Sequence, residues 1–206
     1  MHHTVLITFI IGFFGLALLP ATVPAQPLDA CDWEAAHPSD PDRVGPGRPS
    51  GEVDVQRAIA ACRQAVEAHP DTARFHYQLA RALVYRADRG EGDWHVGLPP
   101  LERAAELRHV QAMFVLGLMR QRTGDWCAAE PWTRAAAEAG LKSARISYVN
   151  DTLAGRFADC GTVADATTRA GWLQAARGQV SGWYENMLLD ALIRESDLNG
   201  AGETSP

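Results

Sequence analysis

The sequence predicts an all-α fold, a repeat solenoid of stacked helical hairpins that follows an export segment and a proline-rich lead-in. Three observations carry that prediction. Residues 111–140 read as two short helices folded back on each other: Ala112, Leu116, Gly117 and Met119 share one helical face, Gly124 breaks the run, and Ala129, Trp132, Ala135 and Ala136 resume it. The punctuation recurs, since Gly92-Asp93-Trp94 returns 32 positions on as Gly124-Asp125-Trp126, and Ala104-Ala105 returns 31 positions on as Ala135-Ala136. Trp132 with Ala135-Ala136 then returns 40 positions on as Trp172 with Ala175-Ala176. A period of roughly 30–40 residues with two helical patterns per unit is the signature of hairpins that bury their apolar faces against their neighbours.

Taken in order, Met1 to Ala25 holds no Asp, Glu, Lys or Arg, and Val5 to Leu19 is an apolar run of 15 residues interrupted only by Thr8 and glycines. That suits the apolar core of a secretory signal peptide and falls short of the ~20 residues of a membrane span. Pro20 ends the run and Val23-Pro24-Ala25 offers small residues for cleavage. Residues 1–25 are therefore expected to be removed, leaving a mature chain from Gln26 that carries no membrane span and lies in the periplasm or outside the cell. A second reading stays open: Leu28-Asp29-Ala30-Cys31 is similar to a lipoprotein cleavage box, which would anchor the chain through Cys31, although Asp29 fits such a box poorly and Cys31 lies 12 residues beyond Leu19.

Residues 26–53 contain five prolines and are expected to be an extended segment. Asp54 then caps a helix that runs to His69, with Val55, Ala58, Ile59, Cys62 and Val66 on one face and Pro70 closing it. Asp71 to Tyr85 forms the next helix with Phe75, Leu79, Ala82 and Leu83 inward, and residues 86–91 read as an insertion before the Gly-Asp-Trp turn. Leu98 to Leu107 is its partner, with Pro99 and Pro100 tolerated in the first turn. After the central hairpin come Leu141 to Leu153, a loop from Gly155 to Thr162, a helix from Val163 to Arg177, and a terminal cap from Ser181 to Glu195. The repeat domain thus spans 54–195, and 196–206 is expected to be a polar, flexible tail.

The central unit carries a family resemblance. Leu116-Gly117, Gly124-Asp125-Trp126 and Ala129, followed by Ala136, resemble a tetratricopeptide repeat, with Leu-Gly on the first helix and Gly-Asp-aromatic at the turn. Ala135-Ala136 and then Gly140 are similar to the Ala-Ala-x-x-Gly that ends the second helix in the Sel-like branch. The resemblance covers about residues 54–190 and implies a superhelical interaction module, not an enzyme.

Four cysteines, with no Cys-x-x-Cys pair and the histidines scattered, lack the spacing of a zinc or haem site, so no metal and no cofactor are expected. In an oxidising compartment they read as disulfides with three possible connectivities. We favour Cys31 with Cys62 and Cys127 with Cys160, because each joins an irregular segment to the helix beside it in sequence; four free thiols remain the alternative if the chain is cytosolic.

The net charge of −6 argues against a nucleic-acid partner and against docking on anionic lipid. Catalytic constellations are missing from the sequence. Lys142 is the only lysine and position 139 is alanine, so Ser-x-x-Lys is impossible, and neither His-Glu-x-x-His nor Gly-x-Ser-x-Gly occurs. Asp93, Glu102, Glu106 and Asp125 read as helix-terminal charges, Trp94, Trp126, Trp132 and Trp172 as packing anchors, and His76 and His109 as surface or rim residues.

A binding surface, if the family geometry holds, lies on the concave face made by the first helix of each unit. Counting from Leu79, Leu116 and Tyr148, the resemblance assigns to that face Tyr77, Arg81, Phe114, Leu118, Gln121, Arg122, Ile146 and Asn150. Arginine, amide and aromatic side chains in that mixture suit an extended peptide or protein partner in the cell envelope. The competing function is an envelope carbohydrate or peptidoglycan binder, or a hydrolase, using the carboxylates and tryptophans. Oligomeric state is not legible.

Overall fold

The computed structural model describes residues 27–203, and among them every regular element is helical. The export segment and its cleavage after Ala25 lie outside the described residues. The helices are α1 (Ala30–Ala35), α2 (Val55–Ala68), α3 (Ala73–Asp88), α4 (Leu98–Glu106), α5 (Val110–Arg122), α6 (Trp126–Glu138), α7 (Lys142–Leu153), α8 (Ala166–Arg177) and α9 (Trp183–Glu203), with short 3-10 turns at Ser50–Glu52 and Trp94–Gly97. From α1 to α9 each helix packs on its neighbours in sequence, and three apolar clusters follow one another along the chain. The first joins α1, α2 and α3 through Cys31, Ile59, Phe75 and Leu83. The central one gathers Tyr77, Leu101, Met113, Leu116, Tyr148, Phe157 and Trp172, and the last joins Val149, Leu173 and Leu189.

The repeating turn has a repeating cause. At the end of α5, Gly124 sits at φ +78°, its N–H reaches the Gln121 carbonyl, and the Asp125 N–H reaches the Arg120 carbonyl. This paired closure satisfies the last carbonyls of the helix and needs a left-handed residue, for which glycine carries no Cβ penalty. Asp125 then starts α6 by accepting the Ala128 N–H on its side chain at 3.0 Å, so Gly-Asp is a stop and a start in two residues. Asp54 and Asp165 cap α2 and α8 in the same way. The end of α4 closes with the same bond pattern but places Arg108 at φ +67°.

Both disulfides form as expected, Cys31 with Cys62 and Cys127 with Cys160. No helix among the described residues is long and apolar enough to cross a membrane. Two disulfides without such a helix are compatible with a periplasmic or extracellular location.

Three boundaries need correction. The lead-in is not wholly extended, because α1 forms between Pro27 and Pro38, capped by Asp29 on the Cys31 N–H and closed by Asp32 on the Asp29 N–H. The insertion expected at 86–91 begins as helix, since α3 continues to Asp88. The tail expected at 196–206 also begins as helix: α9 runs to Glu203, Ser196 is buried, and no proline interrupts the chain before Pro206.

At Gly117 α5 and α6 approach too closely to admit a side chain. A Cβ there would lie inside van der Waals contact of Thr133 Oγ1, and Thr133 is fully buried with its hydroxyl donating to the Ala129 carbonyl at 3.1 Å. Helix propensity favours alanine over glycine by about 1 kcal/mol, whereas overpacking costs about 1–3 kcal/mol, so the clash decides. Gly117→Ala is expected to destabilise the wild type by about 1–2 kcal/mol in urea unfolding and to be neutral or stabilising in a Thr133→Ala background, which removes the obstructing oxygen.

Candidate functional site

The eight residues assigned to the binding face divide between two grooves and one set of internal pairs. Tyr77, Arg81, Phe114 and Leu118 line a groove of about 280 Å³ between α3 and α5. Ile146 and Asn150 line a larger groove of about 640 Å³ between α7 and α9, where Leu188, Leu189 and Leu192 form the facing wall. Gln121 spends its amide on Asp151 Oδ2 at 3.0 Å, and Arg122 pairs with Asp88 at 3.4 Å while lying over the Trp94 ring.

The first groove is not an open face, which corrects the placement of Arg81 and Tyr77. Arg81 is 6% exposed. Its Nη1 donates to the Ala35 and Ala36 carbonyls, both at 2.9 Å, and its Nη2 donates to the Arg48 carbonyl at 2.6 Å. A guanidinium read as a clamp for a partner's backbone therefore clamps this chain's own lead-in. Tyr77 is buried against His109, with ring centroids 4.8 Å apart, and burial together with the Asp40 charge pushes its phenol far above the ordinary tyrosine range. His76 and His109 are also not rim residues. Both are buried, His76 within 2.7 Å of the Pro70 carbonyl and His109 capping α5 through its Nδ1.

The lead-in is fixed at its start by Asp32. This carboxylate is wholly buried and accepts from Arg74 Nε at 2.9 Å, Arg74 Nη2 at 3.3 Å and Gln78 Nε2 at 3.0 Å. Further along, His37 reaches the rim of the first groove, where burial first and the Arg81 charge second lower its pKa below 6.5. The folded state therefore binds the His37 proton less readily than the unfolded chain does, so this group's effect on stability is nil at neutral pH and becomes a loss as pH falls below 6.5. Acidification from pH 7.5 to 5 is expected to raise the rate of protease cleavage within 37–48, and His37→Gln to flatten that rise, as read by limited proteolysis across pH.

The second groove has no such cover. Ile146 is half-buried, Asn150 is exposed, and Leu188 is 51% exposed, an unusual state for leucine in a helix that also exposes Trp183, Tyr184 and Met187. Lys142 and Glu185 face each other across one end at 3.9 Å. Beneath it, Asp151 is buried and holds Gln121, Ser147 and Arg156, which braces α7 against α5 and the following loop.

The carboxylates and tryptophans of the competing reading do not converge. Asp93 caps the turn at Trp94, and hydrogen bonds from His95 hold its carboxyl below the usual range. Asp125 caps α6, Glu102 pairs with Arg120, and Glu106 pairs with Arg103. Trp172 meets Tyr148 edge-on, Trp126 packs on Phe157, and Trp94 stacks on His95. Tyr148 joins three elements: its hydroxyl donates to Glu130 at 2.6 Å and accepts the Ala164 N–H at 2.9 Å, and burial followed by the Glu130 contact raises its pKa.

Comparison with family models, curated proteins and solved structures finds no match to this chain.

Proposed function

We propose that this chain is an exported helical-repeat scaffold of the Sel-like and tetratricopeptide kind, and that its α7/α9 groove takes an extended segment of a partner protein in the cell envelope. One observation carries the reading: the chain already seats its own lead-in, the end of α1 and the irregular residues after it, on the α3/α5 end of the same series of helices. Arg81 holds the Ala35 and Ala36 carbonyls at the C-terminal end of α1 and the Arg48 carbonyl further along the lead-in, and Asn150 occupies the equivalent register in α7, two residues past the anchor Tyr148 as Arg81 is two past Leu79. An exposed amide above a wall of leucines supplies what a peptide backbone and its alternate apolar side chains need. The acidic balance of the chain and the spent carboxylates support this reading over nucleic-acid binding or acid-base chemistry.

The test places a photocrosslinking side chain at position 150 or 188 in the native envelope and identifies the crosslinked peptide. Ile146→Arg and Leu192→Asp are expected to reduce recovery of that peptide by about tenfold or more, the cost of burying a charge in an apolar groove, while the far-side variant Arg103→Ala leaves it unchanged. Saturable binding of peptidoglycan fragments, abolished by the same two variants, would transfer the groove to the carbohydrate reading. Recovery indifferent to both variants would remove the groove from consideration.

A further inference from the structure

Where the lead-in crosses the start of α5, three potential metal ligands meet. Asp40 is wholly buried, and its Oδ1 accepts the Asp42 N–H at 3.0 Å. Its Oδ2 has no hydrogen bond. That oxygen faces His109 Nε2 at 3.3 Å, and this nitrogen, on a side chain 2% exposed, also lacks a hydrogen bond. Asp42 is exposed, accepts the Val110 N–H at 3.1 Å, and completes a set whose ligand atoms all lie within 4.8 Å of one another.

An ionised carboxylate in the interior demands a counter-charge. Arg81 on α3 hydrogen-bonds to backbone carbonyls and to the Tyr85 hydroxyl, and Arg43 reaches the Asp40 backbone carbonyl at 3.4 Å, so neither guanidinium hydrogen-bonds to the Asp40 carboxylate. Asp40 and His109 therefore face each other at hydrogen-bond range without hydrogen-bond geometry. Two ligand atoms bound tetrahedrally to one zinc ion at about 2.0–2.2 Å stand roughly 3.3–3.5 Å apart, which is the separation seen here. One imidazole beside two carboxylates suits a borderline transition ion better than calcium or magnesium, which take oxygen alone.

We propose that Asp40, Asp42 and His109 form a divalent transition-metal site, with zinc as its preferred ion, that clasps the lead-in onto the N-terminus of α5. Asp42 gives the ion a route from solvent and leaves the fourth position for water. Coordination through Nε2 places the imidazole proton on Nδ1, which now accepts the Ala112 N–H at 3.2 Å. The ion therefore displaces that cap, and the Ala112 amide reports occupancy. A neutral His109 that merely donates to Asp40 leaves the cap in place. This site is independent of the α7/α9 groove, so loss of either assignment leaves the other standing.

The experiment titrates zinc chloride, and in parallel manganese and calcium chloride, into the chelator-stripped protein with both disulfides formed. Calorimetry and the amide NMR spectrum are the readouts. One equivalent of zinc is expected, bound more tightly than manganese and much more tightly than calcium, with the Ala112 resonance moving in step. Asp42→Asn, at an exposed position whose loss does not threaten the core, should weaken zinc by about tenfold or more, and His109→Gln should do the same. Zinc that binds equally well to Asp42→Asn, a stationary Ala112 amide at saturation, or no heat of binding would each overturn the assignment.

Discussion

Asp32→Ala is expected to cost about 3–5 kcal/mol, the penalty for removing one partner from a buried ion pair. The size follows from what is left behind. Gln78 is fully buried and loses its acceptor, while Arg74, 8% exposed, loses the carboxylate that meets it through two nitrogens. The Asp29 N–H also loses its reciprocal cap, so α1 loses the second half of its N-terminal closure. Against a typical total stability of about 5–15 kcal/mol, this leaves a marginal protein. Local release is cheaper than global unfolding, because α1 contacts the remainder chiefly through α2 and α3. Urea unfolding should show the lowered midpoint, and hydrogen exchange should show α1 and the segment over Arg81 opening before α5 to α8. Asp32→Asn, which keeps an oxygen for Gln78 but no charge, should fall between the two. A variant with wild-type midpoint and exchange would mean that Arg74 and Gln78 find equivalent acceptors, and the network would lose its role as anchor.

The helices of this protein are legible because their cause is local. Gly124-Asp125 stops one helix and caps the next within two residues, and Asp54 announces α2 in the same way. Both disulfides were within reach of the sequence for the same reason, each closing between adjacent segments. Arg108 hides the end of α4, since nothing in its chemistry marks a left-handed turn, and the two-bond closure of Ala105 and Ala104 on residues 108 and 109 imposes it. Pro131 is equally deceptive: it sits inside α6, where the lost N–H leaves the Cys127 carbonyl without its usual partner, yet the helix continues because both flanks are packed.

The site was harder to read because its causes are distant. Helical periodicity places Tyr77 and Arg81 on one face of α3, and it cannot show that residues 35–48 fold back over that face. The same blindness covers His109, brought to Asp40 and Asp42 across three intervening helices. No spacing rule joins an Asp-Pro-Asp turn in the lead-in to the first residue before α5. Ile146 and Asn150 line the α7/α9 groove, whose facing wall comes from α9, an element the concave-face assignment does not include.

The two disulfides offer a separation of unfolded-state from native-state effects, since they close loops of nearly equal length. Cys31–Cys62 spans 31 positions and Cys127–Cys160 spans 33, so chain entropy assigns each about 3–4 kcal/mol and makes them differ by less than about 0.1 kcal/mol. The surroundings differ strongly. Cys31 and Cys62 are both 0% exposed in the α1/α2/α3 cluster, whereas Cys127 is exposed at the start of α6 and Cys160 half-buried in the loop before α8. Replacing the buried pair with alanine also empties packed volume, which adds about 1–2 kcal/mol. Cys31→Ala/Cys62→Ala should therefore lower stability by more than Cys127→Ala/Cys160→Ala. The loop of the second pair stays docked without its bridge: Phe157 is 1% exposed against Tyr148 and Trp126, and Arg156 reaches Asp151 at 2.6 Å while lying over the Trp126 ring. Its double variant should accordingly resist proteolysis at residues 154–165 under native conditions, even though its urea midpoint falls. Equal losses for the two pairs would assign both bridges to the unfolded chain alone, and a larger loss for the exposed pair would mean that the bridge, and not the packing of Phe157 and Arg156, is what holds the loop in the native fold.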